Sequence, residues 1–161
     1  MTIAIVPHAP EHTRGVVDLV LPIQQQEFGI PITLEDQPDL LDVAGFYRRG
    51  AGNFWVALDG AAVVGSIALI DIGEGRAALR KMFVAASHRG ASRGIAHRLL
   101  DTLVAHCRAS GIREIWLGTT SKYLAAHRFY EKNGFREVGR DELPASFPVM
   151  AVDSKFYMRG V

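Results

Sequence analysis

Cysteine is nearly absent from this chain. Cys107 is the only one in 161 residues, so no internal disulfide can brace the fold. A lone thiol on the apolar face of a helix reads as a small buried hydrophobe. Charge of one sign is missing too: eighteen Lys and Arg stand against seventeen Asp and Glu, a net of +1, with the two signs interspersed. A surface built to coat nucleic acid is therefore not expected. No window approaches the roughly 20 apolar residues of a membrane span. The opening MTIAIVPHAPEH lacks the basic start and apolar run of a secretory signal, and a cytoplasmic protein is the resulting expectation. His8, His12, His88, His97, His106 and His127 show no metal-ligand spacing, and with one Cys no metal site is expected. Repeats, low-complexity tracts and linkers are absent as well. Residues 1–161 therefore read as one domain, long enough to bury a core, with the 48% hydrophobic and 22% charged make-up of a globular protein.

What is present divides cleanly. Thr2 to Val6 reads as a strand closed by Pro7 and Pro10, and Glu11 to about Leu21 as a helix with Val16, Val17, Leu19 and Val20 on one face; Pro22 kinks or ends it. IQQQEFGIPITLEDQ (23–37) reads as a loop or broken helix. A second helix, capped by Asp36 or Gln37, runs to about Tyr47. Strands at 53–58 and 61–70 flank Asp59-Gly60, a tight hairpin signal, and a second reversal at Gly73–Gly75 leads into a third strand, an antiparallel meander. After the central helix, Gly111 precedes a strand at 114–118, and strand–helix–strand implies a right-handed parallel crossover. A last helix from Ser121 or Lys122 to Asn133 stops at Gly134. A strand at 135–138, a long loop and a final strand at 155–159 complete the order β-α-α-β-β-β-α-β-α-β-β, a mixed α/β sheet.

The chain is organised around 77–103, AALRKMFVAASHRGASRGIAHRLLDTL. Leu79, Met82, Phe83 and Val84 give a strand, SHRGASRG a small-residue loop, and Ile95, Leu99, Leu100, Leu103, Val104 and Cys107 an amphipathic helix. Strand, glycine-containing loop and helix N-terminus in this order can gather backbone N–H groups and helix-dipole charge around a phosphate. Arg89 and Arg93 could add charge there, or could be solvated surface residues.

The element order and two motifs resemble the GNAT acyltransferase family, whose members move an acetyl group from acetyl-CoA to an amine. The more specific motif is AAHRFYEKNGFREV (125–138), similar to the family's A-x-x-x-Y-x-x-x-G-F, with Ala126, Tyr130, Gly134 and Phe135 at the matching positions. The other is the loop, similar to R/Q-x-x-G-x-G/A. Counted from Arg89, Ser92 stands where Gly is usual and Gly94 is the last Gly/Ala. Counted back from Leu99-Leu100, Gly94 and Ala96 form the G-x-A pair, which helical periodicity favours. Two further departures are Tyr123, where the motif often has Asn, and Ala78, near where many relatives carry a catalytic Glu.

The resemblance implies a mostly antiparallel GNAT-like sheet flanked by helices, acetyl-CoA as cosubstrate, no metal and an amine acceptor. It implies pyrophosphate contacts from Arg89, Gly90, Ser92, Arg93, Gly94, Ile95 and Ala96. Pantetheine contacts would fall on Met82, Phe83 and Val84, and further CoA contacts on Ala126, Phe129 and Lys132. Tyr130 takes the family's proton-donor position; otherwise it is a Tyr packed on Phe129 and bonded to backbone. The base is open among Glu27, Glu35, Asp71, Glu74 and a water relay. The acidic run Glu27, Glu35, Asp36, Asp39, Asp42 is either a lip favouring a cationic amine or ordinary charged surface. A small-molecule amine acetyltransferase is the leading expectation, with a protein acetyltransferase and a non-catalytic CoA sensor beside it. Family dimers make a homodimer a further expectation, and a lid from 27–37 and 141–153 would favour a small acceptor.

Overall fold

The computed structural model describes residues 2–161. Its seven-stranded sheet runs β1-β2-β3-β4-β5-β7-β6. The strands are β1 (Ile3–Pro7), β2 (Asn53–Asp59), β3 (Ala62–Gly73), β4 (Arg76–Val84), β5 (Glu114–Thr119), β6 (Arg136–Val138) and β7 (Lys155–Gly160). All neighbours pair antiparallel except β4 and β5. The expected mixed, mostly antiparallel sheet and its element order are both found. The last strand inserts between β5 and β6, a placement no local signal announces.

The helices are α1 (Thr13–Pro22), α2 (Val43–Tyr47), α3 (Ile95–Ser110) and α4 (Leu124–Lys132). All six apolar positions expected on α3 are buried; with Ile67, Leu69, Leu79, Ile115 and Leu117 they fill one face of the sheet. The opposite face carries α1 and α2, where Val16, Val20, Leu40 and Tyr47 pack on Phe54, Val56 and Ala68. Further along that face Ala78 and Trp116 meet Phe147 and Phe156. Burial pushes the Cys107 thiol up to about 12, consistent with an inert core residue.

Several local expectations need correcting. The β2–β3 turn is Gly60-Ala61, because Asp59 already pairs with Ala62; Gly60, at φ +60°, takes the first central position that requires it. Pro22 does end α1, as expected, and the broken helix after it is a π turn at Ile23–Glu27. The second helix is broken into a 3₁₀ turn, Pro38–Leu41, and the short α2. The Asp42 side chain accepts from the Gly45 N–H and restarts the chain there as an N-cap.

Candidate active site

The β4–β5 ladder lasts only three rungs, Arg76 with Glu114, Ala77 with Ile115 and Ala78 with Trp116. Beyond Ala78 the strands part, and the β4 edge from Leu79 to Val84 has no strand partner on that side. A cleft of about 850 Å³ fills the gap. It reaches both faces of the sheet: Ile95 and Tyr130 line it from the α3 side, Gln24, Arg80 and Asp153 from the other. Parting strands leave unpaired backbone N–H and C=O groups, which an extended ligand can pair as an added strand would.

A bulge decides what β4 presents. Ser66 pairs with Phe83 and Ala68 with Arg80, so β4 carries one extra residue. Lys81 absorbs it at φ +53°, and the Ser66 hydroxyl donates to the Lys81 carbonyl at 2.7 Å. The extra residue turns Lys81 toward the α1–α2 side, beside Arg80. There its Nζ donates to Gln37 Oε1 at 2.6 Å and lies 3.7 Å from Asp39. Asp39 also accepts the Tyr47 hydroxyl, and Gln37 exchanges hydrogen bonds with Gln24 at 3.0 and 2.9 Å. Burial lowers the Lys81 pKa to about 8, with Asp39 opposing part of that shift.

The other end of the cleft is formed by the loop and the start of α3. Gly94 is the helix N-cap at φ +66°, and the first turn holds no acidic residue and no side-chain cap. Its amides and the helix dipole thus face the cleft without an internal anion. Gly90, Gly94, Ile95 and Ala96 line the cleft, as do Met82, Phe83 and Val84 from β4. Ala126, Phe129, Tyr130 and Lys132 line it from α4. Ser92 and Arg93 lie in the exposed turn before Gly94 and are not part of the lining. Arg89 lines it too, but its guanidinium forms a two-pronged ion pair with Glu27 and donates to the Val84 carbonyl at 2.8 Å. His127 points into the core instead and binds the Thr120 carbonyl at 2.9 Å.

Tyr130 is 5% exposed, edge-on to Phe135 and tilted against Tyr157. Its hydroxyl has no hydrogen bond to the described residues, yet no buried polar side-chain atom among them lacks a partner. The oxygen therefore opens into the cleft. Burial holds its pKa well above the usual tyrosine range, so it remains a proton-bearing donor at any ordinary pH.

None of the four carboxylates considered as base lines the cleft. Glu27 is held by Arg89, Glu74 by Arg76, and Asp71 by the Ala51 and Gly73 amides. Of the acidic run, Asp36 accepts from the Thr33 amide, Asp42 caps Gly45 and Asp39 faces Lys81, while Glu35 is exposed and outside the cleft lining. The carboxylate in the cleft is Asp153. Its Oδ2 accepts from the Met150 N–H at 2.8 Å and lies 2.5 Å from where a Cβ on Gly118 would sit. Only glycine at 118 admits the carboxylate to the strand where β5 leaves β4. Burial raises the Asp153 pKa, against the pull of the Met150 amide and Arg80.

Across the mouth runs the segment from Ile23 to Ile32. Phe28 meets Tyr123 edge-on with centroids 4.8 Å apart, Lys122 Nζ donates to the Gly29 carbonyl at 3.4 Å, and Glu27 holds Arg89. The strap thus ties the loop before α3 to the start of α4.

Known proteins share this fold. An acetyltransferase structure from Staphylococcus aureus Mu50 superposes with a TM-score of 0.95 at 38% identity, covering 99% of both chains. An N-acetyltransferase from Thermoplasma acidophilum, solved in complex with coenzyme A, shares the fold at TM-score 0.77, 17% identity and full coverage of both chains (100% each). The N-acetylaspartate synthetase of Danio rerio is 35% identical over 106 residues, 65% of this chain, which spans 37% of that relative's length. The sequence pattern of the Acetyltransferase (GNAT) family matches residues 18–135. That match takes in the parted strands, the loop, the helix behind it and Tyr130 alike, and the chain belongs to the GNAT acetyltransferase family.

Proposed function

We propose that this protein transfers an acetyl group from acetyl-CoA to the primary amine of a small molecule. The observation that carries the reading is the cleft through the sheet. At one end are the open β4 edge and the uncapped N-terminus of α3, and on the other face of the sheet Gln24, Arg80, Lys81 and Asp153 bring polar groups into a largely apolar cleft. The Thermoplasma relative's coenzyme A supports the donor assignment. Both segments expected to form a lid contribute walls, Phe28, Ile30 and Ile32 from one and Met150 and Asp153 from the other. Walls on both sides favour a small acceptor over a protein chain.

Acetyl-CoA, when bound, supplies an activated thioester; transfer forms a C–N bond and breaks the C–S bond. The residues divide the remaining work. Amides at Gly94 to Ala96 hold pyrophosphate, and the β4 edge aligns pantetheine. Asp153, whose pKa is already raised, takes the proton the amine loses. The Tyr130 hydroxyl donates a hydrogen bond to the departing sulfur, which leaves as a stabilised thiolate while the amine's proton stays on Asp153.

A panel of small amines and polyamines, assayed by release of free CoA thiol, tests the reading. Acetylation of at least one amine, with activity falling on Asp153→Asn, is expected. Binding of acetyl-CoA without turnover of any amine would make the protein a sensor. Turnover confined to lysine peptides would make it a protein acetyltransferase.

A further inference from the structure

Arg80 is half-buried in the wall of the cleft and has neither a hydrogen bond nor an ion pair with any described residue. Taking a guanidinium partly out of water without a partner is costly, and the neighbouring anions are already engaged. Asp39 faces Lys81 and accepts from Tyr47, Asp153 accepts from Met150, and Glu27 holds Arg89. The charge of Arg80 bears on Tyr47, Lys81 and Asp153 without touching any of them.

Its position tells which ligand it could serve. Leu79 packs with the α3 side of the sheet, whereas Ala78 packs with Trp116 and Phe147 on the other. By strand alternation Arg80 shares the face of Ala78, opposite the α3 N-terminus where a pyrophosphate would sit. The cation thus lies at the acceptor end and lines the same cleft as the Asp153 carboxylate. A fork of parallel N–H donors matches a carboxylate in two-pronged fashion.

We infer that the acceptor is an amine that itself carries a carboxylate, an α-amino acid being the simplest case, with Arg80 binding that carboxylate and Asp153 facing the amine. The inference rests on the acetyl-transfer reading above and narrows it. An acceptor with one charge of each sign bridges the two groups and satisfies both. A plain alkylamine would leave Arg80 unpartnered and bring a second cation beside it and Lys81.

The test uses pairs that differ by the carboxylate alone: L-alanine and ethylamine, L-phenylalanine and 2-phenylethylamine, 4-aminobutyrate and propylamine. Each is assayed at saturating acetyl-CoA by thiol release. The carboxylate-bearing member of at least one pair should have the higher kcat/KM, by about tenfold or more. Arg80→Gln should raise KM for that member by about ten- to a hundredfold, the loss expected for a charged hydrogen-bonded partner, and cause no such loss on its plain amine, from which it removes a like charge. Arg80→Lys, which keeps the charge and loses the fork, should fall between. Retained thermal stabilisation by acetyl-CoA shows that the variants fold, and the wild-type comparison stands without them. Plain amines turned over as well as their partners, or an equal loss on both in Arg80→Gln, would overturn the inference while leaving acetyl transfer intact. Acetyl-CoA binding with no acceptor acetylated would overturn both.

Discussion

Tyr130 combines a buried ring with a hydroxyl that faces open space, and the two properties pull its chemistry in one direction. Burial raises its pKa, which widens the gap to a thiol of about 8.5 and makes full proton transfer less favourable than donation of a strong hydrogen bond. Tyr130→Phe keeps the ring contacts with Phe135 and Tyr157. Folding and acetyl-CoA affinity should be unchanged, while kcat falls about ten- to a hundredfold, the value of a hydrogen bond to a charged group. Steady-state turnover with chemistry limiting checks this, and wild-type rates would make the residue structural. Tyr130 was legible because its spacing from Ala126 and Gly134 is a local pattern. Lys81 was not, and Asp153 was legible only as part of the 141–153 segment beside the acceptor, not as the carboxylate of the cleft. An extra residue in β4 decides where Lys81 points, and a bulge leaves no compositional mark when no glycine accommodates it. Asp153 matters because it rests over Gly118, 35 positions earlier in the chain, a contact that only the folded sheet creates.

At the level of elements, the loop and α3 behave as their sequence suggests, and Gly94 makes the sharpest case. Its φ of +66° is a region that Asp enters more readily than most residues, and a Cβ there would meet nothing nearer than the Ala91 carbonyl at 4.0 Å. Gly94→Asp should therefore fold, with backbone strain of about 1 kcal/mol but no steric clash. The added carboxylate would sit at the helix N-terminus, competing for the amides and repelling phosphate. Wild type at about a hundred times the acetyl-CoA dissociation constant should gain roughly 2.7 kcal/mol; the variant should lose most of that, read as a smaller rise in Tm. Equal stabilisation would show that phosphate binds elsewhere. The elements misjudged from sequence are those whose limits are set by tertiary contacts. The 23–47 region holds several apolar residues with no clear period, because Ile23, Ile30 and Ile32 face the cleft while Leu40 and Tyr47 face the sheet. No single helix can serve both directions.

For the whole molecule, acid stability has an identifiable source at the junction of β1, α1 and α2. The His8 amide donates to the Phe54 carbonyl at 2.8 Å, its ring lies 3.2 Å from the Thr13 hydroxyl, and Arg48 donates to its carbonyl. Burial, then the charges of Arg48 and His12, lower its pKa from 6.5 to about 4. Between these values the unfolded chain binds the extra proton, so stability falls as pH drops from 6.5 toward 4, by on the order of 2 kcal/mol. Denaturant midpoints measured from pH 7 to 4.5 should decline more steeply for wild type than for His8→Gln; parallel slopes would rule the residue out. The short β4–β5 ladder has a mechanical consequence at this same scale. Strands β1 to β4 form one plate and β5, β7 and β6 another. Within the sheet they are joined at a single corner by three rungs, the Arg76–Glu114 ion pair at 2.9 Å and the Gly75 carbonyl, which accepts from Arg113 and Glu114. Opening the jaws beyond that clasp breaks no rung within either plate. The width of the gap is therefore set by the core under α3 and by the strap across the mouth, and not by strand pairing.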